Sequence, residues 1–266
     1  MSAVVLDEAP DLERRFGGLR RLFGDTGYAR VRAARVAVVG VGGVGSWAAE
    51  ALARSGVAAL VLVDLDQVAE SNVNRQVQAL TATLGQAKVQ ALAERIAGIH
   101  PGCQVFGVEA FVAADNWPAL LPQPVDAVID ACDQVRAKIA IAAWARAGGM
   151  PLVVAGAAGG KRMPQRIEVD DLAAVSHDPL LASLRQRLRR EHGAPRQGPI
   201  GVPCVFSRES VAGRADGCAT DGGLNCHGYG SSVAVTASFG MAAAAWVLEA
   251  VQREPGPGPG PGARRL

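Results

Sequence analysis

The chain has 266 residues, of which 49% are hydrophobic, so it is long enough for one large domain or two small ones, and wholesale disorder is excluded. Its formal net charge of +2 and its pI of about 8.4 are too weakly basic to indicate a nucleic-acid partner by themselves. The five cysteines form no C-x-x-C pair, which disfavours a four-thiolate zinc site, and the N-terminus lacks an apolar stretch of signal-peptide length. We therefore expect a cytoplasmic protein with reduced thiols.

Strand and helix patterns alternate through the first 157 residues. After a helical segment at 12–30, short apolar runs predict strands, and segments with helical spacing lie between them. The predicted strands are 35–40, 59–64, 104–110, 125–131 and 151–157, and the predicted helices are 44–56, 85–102 and 135–149. This alternation predicts an α/β fold with a Rossmann-like, doubly wound, mostly parallel sheet.

The pattern changes after about residue 160. QRIEVDDL predicts one more strand and DPLLASLRQRLRREHG predicts an arginine-rich surface helix, whereas residues 193–230 are expected to form a long functional loop. The apolar C-terminal extension at 231–251 is long enough to cross a membrane, but it is rich in alanine and ends on Glu249. We therefore predict a buried strand-plus-helix or a subunit interface there, and membrane contact is the less favoured alternative.

A glycine-rich turn follows the first predicted strand. The sequence GVGGVG at 40–45 fits G-x-G-x-x-G and lies between a strand and a helix. Gly40 permits the tight turn, Gly42 lets the main chain approach a phosphate, and Gly45 allows close packing of the helix, whose N-terminus favours an anion. Asp64 ends the next strand, in the position of an acceptor for ribose hydroxyls. This pattern predicts a nucleotide site but leaves NAD, FAD and ATP open.

The stretch DLDQVAESNVNRQ at 64–76 discriminates between these nucleotides. A dehydrogenase needs little here beyond the ribose acid, because hydride transfer involves no phosphate chemistry. Asn72, Asn74 and Arg75 instead place amide and guanidinium donors just beyond the sugar site, and Lys88 follows near the start of the next helix. A guanidinium and an ammonium on the phosphates would offset the charge on a departing pyrophosphate, so the pattern favours ATP. No GxxxxGK[ST] loop occurs, which disfavours a P-loop ATPase.

A carboxylate for a metal ion follows the fourth predicted strand. IDACD puts Asp130 at the strand end and Asp133 three residues later. Asp133 is the candidate ligand of the Mg²⁺ that accompanies ATP. Each of these residues taken singly also fits a solvated surface position, but their joint order along the chain is hard to explain that way.

These motifs resemble those of a known superfamily. GVGGVGSWAAEAL, LVDLDQVAESNVNRQ, GQAKV and IDACDQVRAK are similar to motifs of the ubiquitin-activating-enzyme superfamily, whose members adenylate carboxylates at an ATP site. RFGGLRRLFG, AGAAGGKRMPQRIEVDDL, DPLLASLRQRLRR, VPCVFSRE and the apolar segment after NCHGYGSS narrow the resemblance to the bacterial tRNA threonylcarbamoyladenosine dehydratases. The resemblance covers about residues 13–250. It implies one adenylation domain over 1–252, with its nucleotide-binding half at about 30–157, followed by a disordered Pro/Gly tail at 253–266.

The resemblance also implies a role for each motif residue. It places Asp64 on the ribose, Asp133 on Mg²⁺, and Asp66 in the acidic pair of the family. The residues implied to line the nucleotide or meet its phosphates are Gly40, Gly42, Gly43, Gly45, Asn72, Arg75 and Lys88. Of these motif residues, the implied catalytic ones are Arg75, Lys88 and Asp133.

The implied reaction is the cyclisation of threonylcarbamoyl-adenosine beside the anticodon of tRNA. The threonyl carboxylate attacks the α-phosphate of ATP to give an acyl-adenylate and pyrophosphate. The carbamoyl group of the substrate then attacks the activated carbonyl and displaces AMP. Because this attack is intramolecular, the protein needs no nucleophile of its own.

The resemblance further implies a homodimer, and it leaves open a monovalent cation (Na⁺ or K⁺) and a cysteine-desulfurase or sulfur-acceptor partner. Sulfur-carrier-activating relatives donate an arginine of the N-terminal helix across the dimer to ATP. The aligned position here is Gly18, and Arg15 and Arg21 are the neighbouring candidates. Those relatives also carry zinc-binding C-x-x-C pairs, which this chain lacks.

The cysteines, histidines and a cluster of arginines leave alternatives open. Cys204 in VPCVFS is either a nucleophile or an unreactive loop thiol, Cys218 and Cys226 are a possible redox pair, and the two remaining cysteines are expected to be small core residues. The four histidines have no metal-ligand spacing. The arginine cluster is either an ordinary basic helix face or a tRNA contact, which Arg162 and Arg166 would extend. Its members are Arg185, Arg187, Arg189 and Arg190.

Four functions compete on these residues. The ATP-dependent tRNA dehydratase is favoured over adenylation of the C-terminus of a small sulfur-carrier protein, because the C-x-x-C pairs are absent. The Asn-x-Asn-Arg-Gln segment disfavours an NAD-dependent oxidoreductase. A non-catalytic nucleotide-binding adaptor is disfavoured because candidates for phosphate and Mg²⁺ contacts are all present.

Overall fold

The apolar runs of the sequence form the strands of one sheet in the computed structural model, which describes residues 10–210 and 229–253. The strands, in chain order, are β1 Arg35–Val39, β2 Ala59–Val63, β3 Gln104–Val108, β4 Ala127–Asp130, β5 Leu152–Ala155, β6 Ile167–Asp171 and β7 Pro203–Ser207. Their order across the sheet is β3-β2-β1-β4-β5-β7-β6, and β6 is antiparallel to β7 while the other pairs are parallel. The predicted doubly wound, mostly parallel α/β fold is confirmed.

Helices cover both faces of this sheet. Within the described residues they are α1 Leu12–Phe16, α2 Gly18–Ala33, α3 Gly45–Arg54, α4 Lys88–Ile99, α5 Val135–Gly148, α6 Pro179–Glu191 and α7 Val233–Gln252. Successive strand residues point to opposite faces. Val36 and Val38 therefore pack into a core with α3, α4 and α7, whereas Ala37 and Val39 pack into a second core with α5 and α6. Because both faces are covered, the central strands read as continuous apolar runs.

The C-terminal extension is one continuous helix, so the predicted strand-plus-helix is wrong and its helical part is confirmed. Within the described residues, α7 is the one helix long and apolar enough to span a membrane by length and composition. However, Val235, Phe239, Ala243 and Val247, spaced four residues apart, are fully buried in the first core. Gly240 lets α7 approach α3 closely, since a Cβ there would lie 2.5 Å from the carbonyl oxygen of Val44. The helix thus supplies core to the protein itself.

Two other local predictions are wrong. The predicted loop at 193–230, of which 211–228 lie outside the described residues, contains β7, whose five residues are the inner neighbour of the antiparallel edge strand β6. The single helix predicted at 12–30 is divided at Gly17 into α1 and α2, and α2 has a further kink at Gly24, where φ is +70°. Gly27 lies buried inside α2 against Gln252. The pairing of β7 and the burial of Gly27 involve distant segments, which local composition does not report. Residues 254–266 of the predicted tail lie outside the described residues.

Candidate active site

The predicted nucleotide residues lie at the carboxyl edge of the sheet, where strands β1, β2 and β4 end. The chain moves outward from β1 in one direction through β2 and β3, and in the other through β4 and β5. Ligands of open α/β sheets bind at such a switch point, in the crevice beyond the carboxyl ends of the strands. The loop after β1 contacts the loop after β4, because Gly40 packs on the backbone of Cys132.

Two glycines of the turn after β1 are required by its geometry. Gly40 has φ +80° and donates its N–H to the carbonyl oxygen of Val63 at 2.8 Å, and a Cβ there would lie 2.9 Å from the Cα of Cys132. A Cβ at Gly45 would lie 1.8 Å from the carbonyl oxygen of Gly40, so only glycine lets α3 begin directly beside the strand. The turn therefore brings the N-terminus of α3 to the edge of the sheet, where its free N–H groups favour an anion.

The remaining glycines of the turn differ in what surrounds them. A Cβ at Gly42 would meet only the amide nitrogen of Gln76, at 3.9 Å, so the main chain there has open space beside it. A Cβ at Gly43 would lie 3.3 Å from both the Cγ of Arg75 and the Cγ2 of Thr236, at the start of α7. Gly42 is thus the point of the turn that an incoming phosphate can approach most closely.

Asp64, at the end of β2, holds the glycine turn in place. One carboxylate oxygen accepts the N–H of Val41 at 2.8 Å, and the other accepts the N–H of Asp66 at 2.9 Å. Burial raises the pKa of Asp64, and the nearby Lys88 charge opposes that shift. Each carboxylate oxygen has two lone pairs, so acceptor capacity for ribose hydroxyls remains.

Lys88 and Asp66 form an ion pair beside this carboxylate. The Lys88 Nζ lies 2.7 Å from Asp66 Oδ2, and the side chain of Lys88 is only 4% exposed. The main-chain N–H of Lys88 also donates to the Asp66 carbonyl oxygen at 3.0 Å. The structure therefore brings the predicted phosphate lysine together with the predicted acidic residue, within the wall of the crevice.

The Asn-x-Asn-Arg-Gln segment forms the outer wall of the crevice. Arg75 Nη1 donates to the carbonyl oxygen of Ser71 at 2.6 Å and to Asn74 Oδ1 at 2.9 Å. None of the carboxylates in the described residues pairs with this guanidinium, so its charge stays available to an anion. Asn72 is buried, and its Oδ1 accepts the N–H of Ala69 at 3.0 Å, so this residue shapes the turn. Asn74 Nδ2 donates to Ser231 O at 3.1 Å and ties the wall to the start of α7.

A buried ion pair that sequence reasoning missed lies under the loop after β4. Lys138 and Asp130 are both fully buried, and Lys138 Nζ lies 3.1 Å from Asp130 Oδ1 and 2.9 Å from the carbonyl oxygen of Ala155. Burial alone would lower the pKa of Lys138, but the Asp130 charge and hydrogen bond raise it. The ammonium therefore joins the carboxyl ends of β4 and β5. The sequence does contain a sign of this ion pair. In IDACDQVRAK a lysine stands among the apolar positions of a helix.

The second oxygen of this buried carboxylate is unsatisfied. Among the described residues Asp130 Oδ2 has no hydrogen-bond partner, whereas Oδ1 accepts from Cys132 N at 3.2 Å and lies 2.9 Å from Cys132 Sγ. An orphaned buried acceptor costs free energy, and such groups concentrate at functional sites. Asp133, three residues on, is exposed.

Asp133 suits a magnesium ion that is held mainly by other ligands. No group of three or more His, Cys, Asp or Glu side chains with metal-binding geometry occurs in the described residues. Mg²⁺ beside a nucleotide needs only one or two carboxylates, since phosphate oxygens and water complete its octahedron. A lone exposed carboxylate at the switch point fits that role, and it does not fit a metal site built from protein ligands alone.

The cysteines within the described residues are poor nucleophiles. Cys204 lies in β7 rather than in a loop, is fully buried, and has its pKa raised well above the usual value by burial. Burial likewise raises the pKa of Cys103, to about 11, and that of Cys132 well above the usual value. Thiolate nucleophiles occur in exposed, electropositive surroundings, so these geometries argue against covalent catalysis by Cys204. Cys218 and Cys226 lie outside the described residues.

The arginine cluster on α6 is engaged in contacts within the protein. Arg185 donates to the carbonyl oxygens of Leu172 and Val175, and Arg189 donates to that of Pro195. Arg187 and Arg190 both pair with Glu191, whose pKa these hydrogen bonds lower to about 2. The cluster lies in the later turns of α6, and Asp178, which caps the start of the helix, accepts the N–H of Ala157 in the loop after β5. Its basic end therefore points away from the crevice.

Comparison with known proteins identifies the family of this chain. The model of the ThiF family matches residues 17–261. The chain is 43% identical to the tRNA threonylcarbamoyladenosine dehydratase of Escherichia coli over 261 residues, which cover 94% of this chain and 96% of that enzyme. The chain belongs to the ThiF family, among its tRNA threonylcarbamoyladenosine dehydratases. The resemblance inferred from the sequence motifs is thus confirmed.

A solved structure of a ThiF-family enzyme extends this similarity to three dimensions. The E. coli tRNA N6-threonylcarbamoyladenosine dehydratase in complex with ATP has a TM-score of 0.82 and 42% identity, covering 90% of this chain and 94% of that one. A more distant ThiF-family relative, the molybdopterin-synthase adenylyltransferase of E. coli, is 36% identical over 50% of this chain and 53% of its own length.

Proposed function

We propose that this chain uses ATP to dehydrate threonylcarbamoyladenosine in tRNA by adenylating the threonyl carboxylate. The observation that carries the proposal is the similarity to the E. coli dehydratase across nearly the whole of both chains. The crevice supplies what this chemistry requires, namely an open glycine turn, the uncompensated guanidinium of Arg75 and the exposed carboxylate of Asp133.

In this proposal ATP binds along the carboxyl edge of the sheet. Its phosphates approach the main chain at Gly42 and the N-terminus of α3, and its ribose hydroxyls donate to Asp64. Arg75 swings from the carbonyl oxygens that it now contacts to the phosphates, where charge-assisted hydrogen bonds are stronger. Lys88 contributes positive charge from its ion pair with Asp66.

Asp133 is the residue that would hold Mg²⁺ in this site. The ion would neutralise charge on the phosphate oxygens when bound. The chain's own contribution is to place one carboxylate at the switch point, on a loop that packs against Gly40 and is anchored below by Lys138. A monovalent cation remains a prediction from the family resemblance.

The reaction balances without a protein nucleophile. A threonyl carboxylate oxygen bonds to the α-phosphorus, and the bond from that phosphorus to the bridging oxygen breaks to release pyrophosphate. The carbamoyl group then attacks the acyl carbon and loses a proton to solvent, which closes the ring and releases AMP with the oxygen lost from the carboxylate. Arg75 and Lys88 stabilise the charge that develops on the departing groups. The buried, weakly acidic thiol of Cys204 takes no part.

We propose that the chain acts as a homodimer and that Arg21 reaches the ATP of the partner. Helices α1 and α2 precede β1, and Arg15 donates to the carbonyl oxygen of Ile99 at the amino edge of the sheet. The strands are about 16 Å long, so Arg15 cannot reach the nucleotide of its own chain. Arg21 is exposed and makes no hydrogen bond or ion pair with another described residue. A cysteine-desulfurase or sulfur-acceptor partner remains a prediction.

Product analysis tests the proposed function. The protein is incubated with ATP, Mg²⁺ and tRNA that carries threonylcarbamoyladenosine. The tRNA is then digested, and the masses of its nucleosides are measured by mass spectrometry. We expect the modified nucleoside to lose one water while AMP and pyrophosphate form, and Asp133→Ala to abolish AMP release with folding intact. A tRNA of unchanged mass would overturn the proposal.

The alternative function is adenylation of a small sulfur-carrier protein. The similarity to molybdopterin-synthase adenylyltransferase supports only the shared first step, because it covers half of each chain and this chain has no C-x-x-C pair. AMP release that requires an added carrier protein, and not tRNA, would favour this alternative.

A further inference from the structure

A short exposed turn continues the wall of the crevice beyond β5. Residues 159–166, here called the Arg162 turn, follow the glycine-rich end of β5 and lead into β6. Lys161 is buried beneath the turn and donates to the carbonyl oxygens of His177, Ser207 and Glu209. The Glu209 carboxylate accepts the main-chain N–H groups of Arg162 and Met163, at 2.9 and 3.0 Å. The turn is therefore a fixed platform at the carboxyl edge.

The two arginines of this turn are free of internal partners. Arg162 and Arg166 are exposed, and neither guanidinium makes a hydrogen bond or ion pair with another residue in the described part of the chain. Two acids close to the turn are already engaged, because Glu168 pairs with Arg208 and the Glu209 carboxylate accepts main-chain N–H groups of the turn. The arginines of α6 differ, since each of them contacts a carbonyl oxygen or Glu191. Only free guanidiniums bind phosphate without first breaking a protein contact.

An aromatic side chain connects this turn to the nucleotide wall. Tyr229 is 37% exposed, and a Cβ at Gly159 would lie 3.7 Å from its Cβ. Gly160 donates to the carbonyl oxygen of Gly230 at 2.9 Å, and Asn74 donates to that of Ser231 at 3.1 Å. The segment 229–231 thus lies between the Arg162 turn and the wall that carries Arg75.

We propose that the Arg162 turn and Tyr229 form the surface that holds the RNA strand beside the reacting nucleoside. The inference rests on the proposed function, since it names where the tRNA substrate is held. Arg162 and Arg166 contact phosphates, and the Tyr229 ring stacks on an unpaired base. Sequence-specific recognition of RNA mostly targets single-stranded loops, whose unpaired bases stack on aromatic side chains. This surface is continuous with the crevice, whereas the basic end of α6 points away from it.

The test compares two matched double variants. Arg162→Ala/Arg166→Ala removes the free pair, and Arg187→Ala/Arg190→Ala removes the same charge from α6. Binding of threonylcarbamoyladenosine-carrying tRNA is measured by fluorescence anisotropy across a salt series, together with the KM for tRNA and the KM for ATP. We expect the first variant to bind tRNA about tenfold to a hundredfold more weakly, with the salt slope reduced by about 1.4, and the α6 variant to match wild type.

A second pair of variants separates stacking from the tyrosine hydroxyl. Tyr229→Phe should keep the tRNA affinity, while Tyr229→Ala should lose about tenfold. The KM for ATP should not change in any of the four variants. Wild-type tRNA affinity in Arg162→Ala/Arg166→Ala, or a larger loss in the α6 variant, would overturn the proposal. If wild type binds tRNA but releases no AMP, the proposed function fails while the anisotropy titration still decides the RNA surface.

Discussion

The two edges of the sheet use charged side chains in opposite ways. At the amino edge, arginines contact carbonyl oxygens at the ends of helices and loops. Arg32 donates to the carbonyl oxygen of Gly56 and packs over the ring of Phe16, and Arg146 donates to that of Ile200 at 3.0 Å. Asp171 accepts main-chain N–H groups from Ala173 and from the segment 200–202. These three charged side chains close loops, and main-chain groups satisfy each of them.

At the carboxyl edge the lysines are buried, and Arg75, Arg162 and Arg166 have no carboxylate partner among the described residues. Lys88 and Lys138 pair with Asp66 and Asp130 inside the walls, and one carboxylate oxygen of Asp130 has no partner in the described part of the chain. Arg75 contacts only neutral oxygen atoms. A charge satisfied by the backbone stabilises the fold, whereas a charge left unsatisfied at the switch point is available to a ligand.

The largest expected effect is at the buried pair of the carboxyl edge. Lys138→Met leaves the Asp130 carboxylate buried without its partner, so the free energy of unfolding should fall by about 3–5 kcal/mol. Urea unfolding measures this loss. The double variant Lys138→Met/Asp130→Leu replaces the pair with apolar groups and should recover most of the stability. Wild-type stability in the single variant would contradict the role assigned to the pair.

The second-largest effect is expected at Arg75, where a substitution should lower the reaction rate without lowering stability. Arg75→Ala should lower the rate of AMP release by about 10²–10³-fold, because it removes a donor aimed at developing phosphate charge. Its unfolding curve should stay close to that of wild type, since Arg75 Nη1 contacts only neighbouring oxygens. AMP release is followed by chromatography, with circular dichroism as the folding control. Unchanged turnover would remove Arg75 from the site.

At the amino edge, a substitution is expected to lower stability and to leave ATP binding unchanged. Arg32→Ala loses a half-buried contact with the Gly56 carbonyl oxygen and the Phe16 ring, so the free energy of unfolding should fall by about 1–3 kcal/mol. The KM for ATP should not change, because Arg32 lies at the opposite end of the strands. A raised KM for ATP in a folded variant would break the distinction between the edges.

The smallest effect is a pH dependence at Asp171. Burial acts to raise the pKa of Asp171, but hydrogen bonds from four main-chain N–H groups lower it below the usual 3.8. The folded state therefore holds the ionised form more tightly, and this stabilisation is present above pH 3.8 and is lost as the pH falls through the folded pKa. The stability difference between wild type and Asp171→Asn should shrink below that pH in acid unfolding curves. A difference independent of pH would contradict the assigned hydrogen bonds.

Sequence reasoning found what local pattern encodes and missed what tertiary contact decides. The glycine turn and Asp64 were predictable because their chemistry requires those residues in that order along the chain. Lys138 was missed because a lysine in a helix is normally solvated, and only the fold places it beneath β4 and β5. Strand β7 was missed because its pairing with β5 and β6 involves residues distant in sequence.

Isotope transfer tests the central claim that the crevice activates a carboxylate with ATP. The threonyl carboxylate of the tRNA-bound substrate is labelled with oxygen-18, and the AMP released in one turnover is analysed by mass spectrometry. Attack on the α-phosphorus predicts that one labelled oxygen appears in AMP. Unlabelled AMP, or release of ADP and labelled phosphate, would contradict the account.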